Sequence, residues 1–416
     1  MTARLVLVGA APMAEGYLTA ARQLGLEVGL VETPERILAL RARFDDVIID
    51  TEQVDPGAAG RDDGWMKPTA ALTERLRPDG VLASSEIHVL AASLVQEQYR
   101  LPGPGLDAAA ISRDKSQQRF RFAGAGLDQP AHLKVRRLSE AGDWASAHFP
   151  VVVKPLNRAG SDGVERIDGA DRWADAVTRR ESEGTLLVEE YVEGQEYSWE
   201  GLVQDGRVVF GSLTFKETTG APYFVELAHL SGHERTDPVL GRAADALGQA
   251  VARAVRMGSG VMFVEFRTRG DRLVIMEVAV RAPGDHCMDA ISLGYGFDVF
   301  AEILKLSTGA DPDLAHGRSL ERFTGSCFVV ADRGGTLESA REPEWSGWPG
   351  VARHGVDAGP GDPVGPPRSS ADRIAWALVD CAEAPQRRAL LDRIRAVRPS
   401  LSPVVPLDLL DPLDRR

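Results

Sequence analysis

The alternation of apolar and polar positions predicts a β-hairpin over residues 261–281. Met262, Val264, Phe266, Val274, Met276 and Val278 fall at even positions, and successive side chains of a strand point to opposite faces. Glu265, Arg267, Glu277 and Arg281 therefore share the other face. With the turn centred on Asp271, Glu265 and Glu277 become directly opposed neighbours, their Cβ atoms about 5 Å apart. Like charges so placed are destabilising unless a cation lies between them. Mg2+ (or Mn2+) suits the position, because a hard cation of this kind takes one or two carboxylates and leaves its other positions to water and phosphate oxygens. The competing reading is a solvated sheet face on which Arg267 and Arg281 neutralise the two glutamates.

Earlier in the chain, short apolar runs near residues 4–9, 27–32, 46–50 and 80–85 are separated by helical patterns. Such spacing predicts a parallel, doubly wound sheet. Glu32 follows Gly9 at roughly the interval of a dinucleotide-binding fold, but the turn reads Gly9-Ala-Ala-Pro-Met-Ala. Side chains stand where a pyrophosphate needs bare backbone, and a proline stands in place of a donor, so no dinucleotide site is expected. The Pro/Gly cluster at 101–106 marks a boundary. Beyond it the pattern predicts a helix over 112–123 with Ser112 as N-cap, strands at 149–155, 185–192 and 197–215, an amphipathic helix over 239–256, the hairpin, and a helix over 289–307. From Arg318 it predicts further antiparallel strand, a Gly/Pro-rich stretch at 347–367 and a terminal helix over 369–396.

At 416 residues, 44% hydrophobic and 26% charged, the chain suits a soluble protein of two to four domains or subdomains. A net charge of −13 without a basic block argues against nucleic acid or an anionic membrane as partner. No stretch approaches the roughly 20 apolar residues of a membrane span. The apolar run at the amino terminus is interrupted by Gly9, Pro12 and Glu15, unlike a signal peptide. Cys287, Cys327 and Cys381 are odd in number and widely spaced, which disfavours a disulfide framework or a thiolate zinc site. A cytoplasmic enzyme is the expectation.

Lys154 ends a run of β-branched residues and is followed at once by Pro155, so its ammonium is delivered at a strand end beside a loop. The glycines of Gly160-Ser161-Asp162-Gly163 permit the backbone conformations with which N–H groups wrap an anion. Alone this is an ordinary turn; beside the lysine it is a candidate phosphate lid. Downstream, Glu189, Glu190, Glu193 and Glu196 lie on and just past an apolar strand. They are either a charged strand end, or a backbone edge for adenine with a carboxylate placed for ribose hydroxyls. No Gly-x-Ser-x-Gly motif or convincing triad is present, and Cys287 beside His286 reads as incidental.

The order and spacing of four pieces resemble the ATP-grasp superfamily of carboxylate-amine ligases, most of all the L-amino acid ligases that make dipeptides. The pieces are Arg113-Asp-Lys115; Pro150-Val-Val-Val-Lys154-Pro with Gly160-Ser-Asp-Gly163-Val; Val188-Glu-Glu-Tyr-Val-Glu-Gly-Gln-Glu196-Tyr-Ser; and Glu265 with Glu277-Val-Ala-Val-Arg281. The resemblance implies an α/β and α+β ATP-grasp fold: a Rossmann-like pre-ATP-grasp domain at 1–105, a small subdomain with the phosphate loop at 106–190, a large subdomain with the metal hairpin at 191–317 and a C-terminal antiparallel α+β segment at 318–416. It implies that Lys115 and Lys154 hold the phosphates of ATP while Gly160, Ser161 and Gly163 close over them. Glu190, Tyr191 and Val192 would then meet adenine, Glu196 the ribose and Arg281 the reacting acyl group, with Glu265 and Glu277 carrying Mg2+. Glu226 and His229 match a piece that lies near the substrate in similar ligases, and the turn 281–286, with Gly284, is placed to shape that pocket.

One departure is Ala279, which stands where the usual Glu-x-Asn-x-Arg motif has its amide and puts a second metal in doubt. The implied activity is ATP-dependent, ADP-forming joining of small carboxylate and amine substrates through an acyl-phosphate. An ATP-grasp carboxylase, a purine-pathway ligase and a catalytically weak nucleotide-binding protein stand as alternatives, and a homodimer is the base-rate assembly.

Overall fold

The computed structural model describes residues 2–10, 13–314, 319–338 and 344–402. Strands β1 (Arg4–Val8), β2 (Glu27–Glu32), β3 (Ile48–Gln53) and β4 (Gly80–Ala83) form a parallel sheet in the order β3-β2-β1-β4. β1, β2 and β4 are largely apolar because both faces are covered, whereas the edge strand β3 is fully buried only at Ile48. Leu5, Leu7 and Leu30 pack toward the helices Ala14–Leu24 and Val299–Ser307, while Val6, Val8 and Val31 pack toward Asp62–Leu76 and Val89–Tyr99. The first turn is filled from within. Glu32 accepts from the Ala10 amide at 2.6 Å, and a Cβ on Gly9 would fall 1.8 Å from the His88 ring. Ala11 and Pro12 lie outside the described residues.

A second, antiparallel sheet has β5 (His132–Val135), β6 (Val151–Pro155), β7 (Glu165–Ile167) and β8 (Leu186–Glu190) in the order β5-β8-β6-β7. The third and largest joins β9 (Glu196–Gln204), β10 (Arg207–Thr218), β11 (Glu226–Leu230), β12 (Gly260–Arg269), β13 (Arg272–Ala279) and β14 (Phe323–Val329) to two later strands. Between those two and β14 in the chain comes β15 (Gly335–Leu337), which belongs to a small sheet with β17 (Pro363–Val364) and β19 (Leu401–Ser402). With β16 (Val351–Val356) and β18 (Ala375–Cys381), the large sheet runs β13-β12-β9-β10-β11-β14-β18-β16, antiparallel throughout. The boundary expected at 317 and 318 lies outside the described residues; β11 on one side of it pairs with β14 on the other.

Four expected elements differ. The strand expected at 197–215 is a hairpin of β9 and β10, turning at Asp205 and Gly206. Residues 112–123 are two helices, Leu106–Ser112 and Lys115–Gly124. Ser112 spends its hydroxyl on the Ala109 carbonyl, and Asp114 is the N-cap, accepting from the Ser116 and Gln117 amides at 2.7 and 3.3 Å. The helix expected over 289–307 is split into Cys287–Tyr295 and Val299–Ser307. Gly296, at φ +67°, stops the first and the carboxylate of Asp298 caps the second. Of the terminal helix, Ala384–Arg395 is present, but 375–381 is β18, because Ala377, Leu378 and Val379 are buried between β14 and β16 and pairing overrides local propensity. Among the described residues no helix is long and apolar enough to cross a membrane.

One buried acid in β9 makes stability depend on pH. Glu200 is 1% exposed and accepts from the Ser198 and Thr214 hydroxyls at 2.5 and 2.8 Å. Burial, outweighing those two hydroxyls, pushes its carboxyl up to about 7, against about 4.3 in an unfolded chain. The folded state thus holds the proton more tightly. The stability this gives is fully present below the unfolded value and is lost as pH rises through 7. Glu200→Gln removes the charge at constant size, so it is expected to raise the melting temperature at pH 8 and leave it almost unchanged below pH 4; equal melting at pH 8 would contradict the assignment.

Candidate active site

The hairpin of β12 and β13 turns at Gly270 and Asp271, with Arg269 opposite Arg272 and Phe266 opposite Ile275. From that turn alone Glu265 would face Met276. A β-bulge at Met276 shifts the register by one residue, so that Glu265 lies opposite Glu277 and Phe263 opposite Ala279. The expected opposition is therefore present, although the turn is not centred on Asp271. The bulge also exchanges faces: Ile275 goes into the core and Met276, expected there, lines the cavity with the carboxylates.

The bulge sits on an edge strand and is braced from the helix Lys115–Gly124. Arg119 donates to the carbonyls of Ile275 and Met276 at 3.3 and 2.6 Å. Gln118 exchanges hydrogen bonds with the Val278 backbone at 3.0 and 3.1 Å. These side chains satisfy backbone groups that a partner strand would otherwise take.

Across the cavity, the period of two in β6 sends Val151 and Val153 into the core and Val152 and Lys154 to the opening. The strand itself runs one residue past Lys154, to Pro155. On the large sheet the same alternation puts Tyr197, Phe215 and Phe266 in ring contact on one face. The next positions, Glu196, Lys216, Glu265 and Arg267, meet on the other. The cavity gathers Lys115, Lys154, Gly160, Ser161, Glu190, Tyr191, Val192, Glu196, Glu226, Glu265, Glu277 and Arg281, with Val152, Phe224, Phe263 and Met276 as apolar wall. His229 and Gly284 line an adjoining cavity that shares Glu226, Glu265 and Arg281. Gly163 lies behind the loop, at φ +74°, where a Cβ would meet Pro155 at 2.8 Å. Tyr191 stacks on Phe224 with centroids 5.8 Å apart, and the Arg267 guanidinium lies over both rings. Arg267 also donates to the Val192 carbonyl at 3.0 Å, so that carbonyl is already engaged.

The cations of the cavity are held by carboxylates. Lys115 contacts Glu277 at 2.9 Å, Lys154 contacts Glu189 at 2.6 Å and Arg281 contacts Glu86 at 2.8 Å. Lys216, which sequence reasoning missed, lies 2.5 Å from Glu265, 2.9 Å from Glu196 and 3.3 Å from Glu226. Its signal was slight: a lysine beside Glu217, one residue past the strand expected at 197–215. Burial lowers Lys154, with Arg119 and Lys115 adding to the effect against Glu189. Burial would raise Glu189, but Arg119 and Lys154 hold it at about 2. Glu196 is likewise held at about 2, burial being overcome by Lys216 and Arg267.

The opposed pair divides. Burial, with Glu277, Glu196 and Glu226 adding to it, pushes Glu265 up to about 7 despite Lys216. Glu277 is also raised by burial, but Lys115, Lys154 and Arg281 bring it below the ordinary range. Two carboxylates directly opposed on the cavity wall fit a hard divalent cation. Among the described residues no group of three or more His, Cys, Asp and Glu forms a metal cage, and a cation completed by phosphate oxygens and water requires none. Ala279, 1% exposed opposite Phe263, offers no donor.

Beside this pair a second network closes the adjoining cavity. Arg373 donates to Asp285 at 2.5 Å and to Glu226 at 3.1 Å, and His229 Nε2 is 3.0 Å from Asp285. Burial would raise Asp285, but Arg373 and His229 hold it well below the usual carboxylate range.

Residues 147–290 match the ATP-grasp domain, and the chain has the ATP-grasp fold. It is 28% identical over 317 residues to the uncharacterized protein y4rH of Sinorhizobium fredii, a match covering 74% of this chain and 64% of that protein, less than two thirds of its length. It is 24% identical over 320 residues to an L-arginine-specific L-amino acid ligase of Bacillus subtilis, covering 73% of this chain and 75% of the ligase. The structure superposes on an L-amino acid ligase from Bacillus licheniformis with a TM-score of 0.77, covering 94% of this chain and 97% of that one at 18% identity, a likeness of fold.

Proposed function

We propose that this protein is an ADP-forming carboxylate-amine ligase that joins amino-acid-like substrates in the cytoplasm, using ATP with Mg2+ (or Mn2+). The observation that carries the reading is the bulge that brings Glu265 opposite Glu277 on the wall of a cavity holding Lys115, Lys154 and the loop of Gly160 and Ser161. A carboxylate resists an amine because oxide is a poor leaving group. Attack of its oxygen on the γ-phosphorus of ATP gives an acyl-phosphate and ADP; an amine nitrogen then forms the C–N bond, phosphate leaves and the nitrogen loses a proton.

The chain's part is positioning and charge stabilisation. Lys115 and Lys154 would exchange part of their carboxylate contacts for phosphate oxygens. The aromatic pair Tyr191 and Phe224 supplies an apolar wall for the base near Glu190 and Val192, and Glu196 is placed for the ribose. Arg281 faces both cavities, which suits a group that steadies the acyl oxygen as charge leaves it. Glu226, His229 and Gly284 line the side from which the acid and amine enter. Glu265 and Glu277 would hold the cation, which when bound neutralises charge on the terminal phosphates.

Phosphate release measured over pairs of amino acids with ATP and Mg2+, with products identified by mass spectrometry, tests the reading. ADP, phosphate and an amide are expected only when acid and amine are both present. AMP as product, bicarbonate-dependent phosphate release without an amino acid, or nucleotide binding without turnover would each overturn it.

A further inference from the structure

We propose that Ser370 is a positioning residue that latches the phosphate loop to the substrate cavity; what the latched loop closes over rests on the ligase reading. The loop between β6 and β7 is tied at its start by Lys115, whose amide donates to Leu156 and whose ammonium donates to the Arg158 carbonyl, at 3.0 and 2.7 Å. At its tip the Gly160 carbonyl accepts from the Ser370 amide at 3.1 Å. Gly160 has φ +68°, and a Cβ built there would lie 3.6 Å from the Ser370 Cβ, so the two backbones are in close approach. The same serine donates its hydroxyl to Glu226 at 2.9 Å.

Ser370 is well held for this work. It begins the short 3-10 turn Ser370–Asp372, closed by a capping box between Ser369 and Asp372. Three residues on, Arg373 ties Glu226 and Asp285. One turn of the carboxy-terminal segment therefore touches the loop through an amide, and the carboxylates of the substrate cavity through a hydroxyl and a guanidinium. Ser370 also lines both that cavity and a larger outer one floored by His286 stacked on Trp376. A substrate seated against Glu226 bears on the residue that fixes the loop. Loop closure is thereby coupled to occupancy of the substrate cavity, and water is excluded from the activated acid only when both are in place.

Two substitutions separate the contacts. Ser370→Pro deletes the amide donor together with the hydroxyl, at the first position of a helical turn where proline's fixed φ is tolerated, and Ser369 before it is extended at φ −149°, ψ 170°. Ser370→Ala removes only the hydroxyl. In the ligand-free full chain, hydrogen exchange across 157–164 is expected to speed about two- to tenfold in Ser370→Pro, the worth of one net hydrogen bond, and to stay near the parent rate in Ser370→Ala. During turnover both variants are expected to release more phosphate per amide formed. Parent-like exchange in Ser370→Pro, or parent-like coupling in both variants, would overturn the latch. Should Ser370→Pro fold poorly, the parent decides: segments 157–164 and 368–374 must gain protection together when ADP, Mg2+ and an amino acid substrate are added, and independent protection overturns the coupling. A chain that forms no amide with any pair defeats the ligase reading, while the ligand-free exchange still decides the latch.

Discussion

Glu277→Gln is expected to lower kcat by about a hundred- to a thousandfold, the scale on which removing one preorganised charge-stabilising group acts, with the melting temperature close to that of the parent. Glu277 is the member of the opposed pair that stays ionised, held so by Lys115, Lys154 and Arg281. Glutamine keeps its size and leaves a carbonyl oxygen for the Lys115 ammonium, now 2.9 Å from Oε1, so the helix and hairpin stay joined. The cation is left with Glu265 alone, a carboxylate that Lys216 also contacts at 2.5 Å. The Mg2+ concentration for half-maximal rate should rise with the loss of kcat. Steady-state kinetics at several Mg2+ concentrations, with a thermal melt, check both; full activity at ordinary Mg2+ would remove the metal assignment.

Arg119→Met is expected to cost about 3–5 kcal/mol of stability, the range for breaking a buried ion pair from one side. The Arg119 side chain is fully buried and contacts Glu189 at 2.5 Å. Without it, Glu189 keeps only Lys154 to compensate its charge in the interior, and the Ile275 and Met276 carbonyls lose their donors. The second loss falls on the bulge that sets Glu265 opposite Glu277, so the surviving folded fraction should also bind metal poorly. Arg119→Lys retains the charge but not the planar fork that reaches three acceptors, and should fall between the parent and Arg119→Met. Urea unfolding measures the difference; a loss below about 1 kcal/mol, typical of an exposed pair, would show that the brace is dispensable.

Where local pattern decides structure, the sequence was readable. Most of the parallel sheet appeared as apolar runs because both of its faces are covered, and the hairpin appeared as alternation because one face packs on the core and the other lines the cavity with charge. Most residues that the family resemblance named line one opening, while Gly163 lies behind the loop and His229 and Gly284 line the adjoining cavity. The bulge was not readable: its cause is Arg119 and Gln118, remote in sequence, filling the edge of β13. A trace of it was present, since Lys115, Gln118, Arg119 and Phe122 form the buried face of their helix. Polar residues at the spacing of a core stripe signal a helix that serves a site. Lys216, beside Glu217 near the end of β10, was likewise interpretable only once Glu196, Glu226 and Glu265 are brought to it from three other strands. β18 went unread because burial between two partners, rather than propensity, makes 375–381 a strand. Gly296 and Asp298 carried ordinary stop and start signals for helices, and weighing them would have split the helix expected over 289–307.

Anomalous diffraction from crystals grown with Mn2+ and a nonhydrolysable ATP analogue probes the paired glutamates most directly. A peak within coordination distance of both Glu265 and Glu277, bridged to the terminal phosphates and with Lys115 and Lys154 turned toward those phosphates, is the predicted result. Well-ordered analogue in the cavity with no peak between the two carboxylates, and Lys216 still seated on Glu265, would contradict the account.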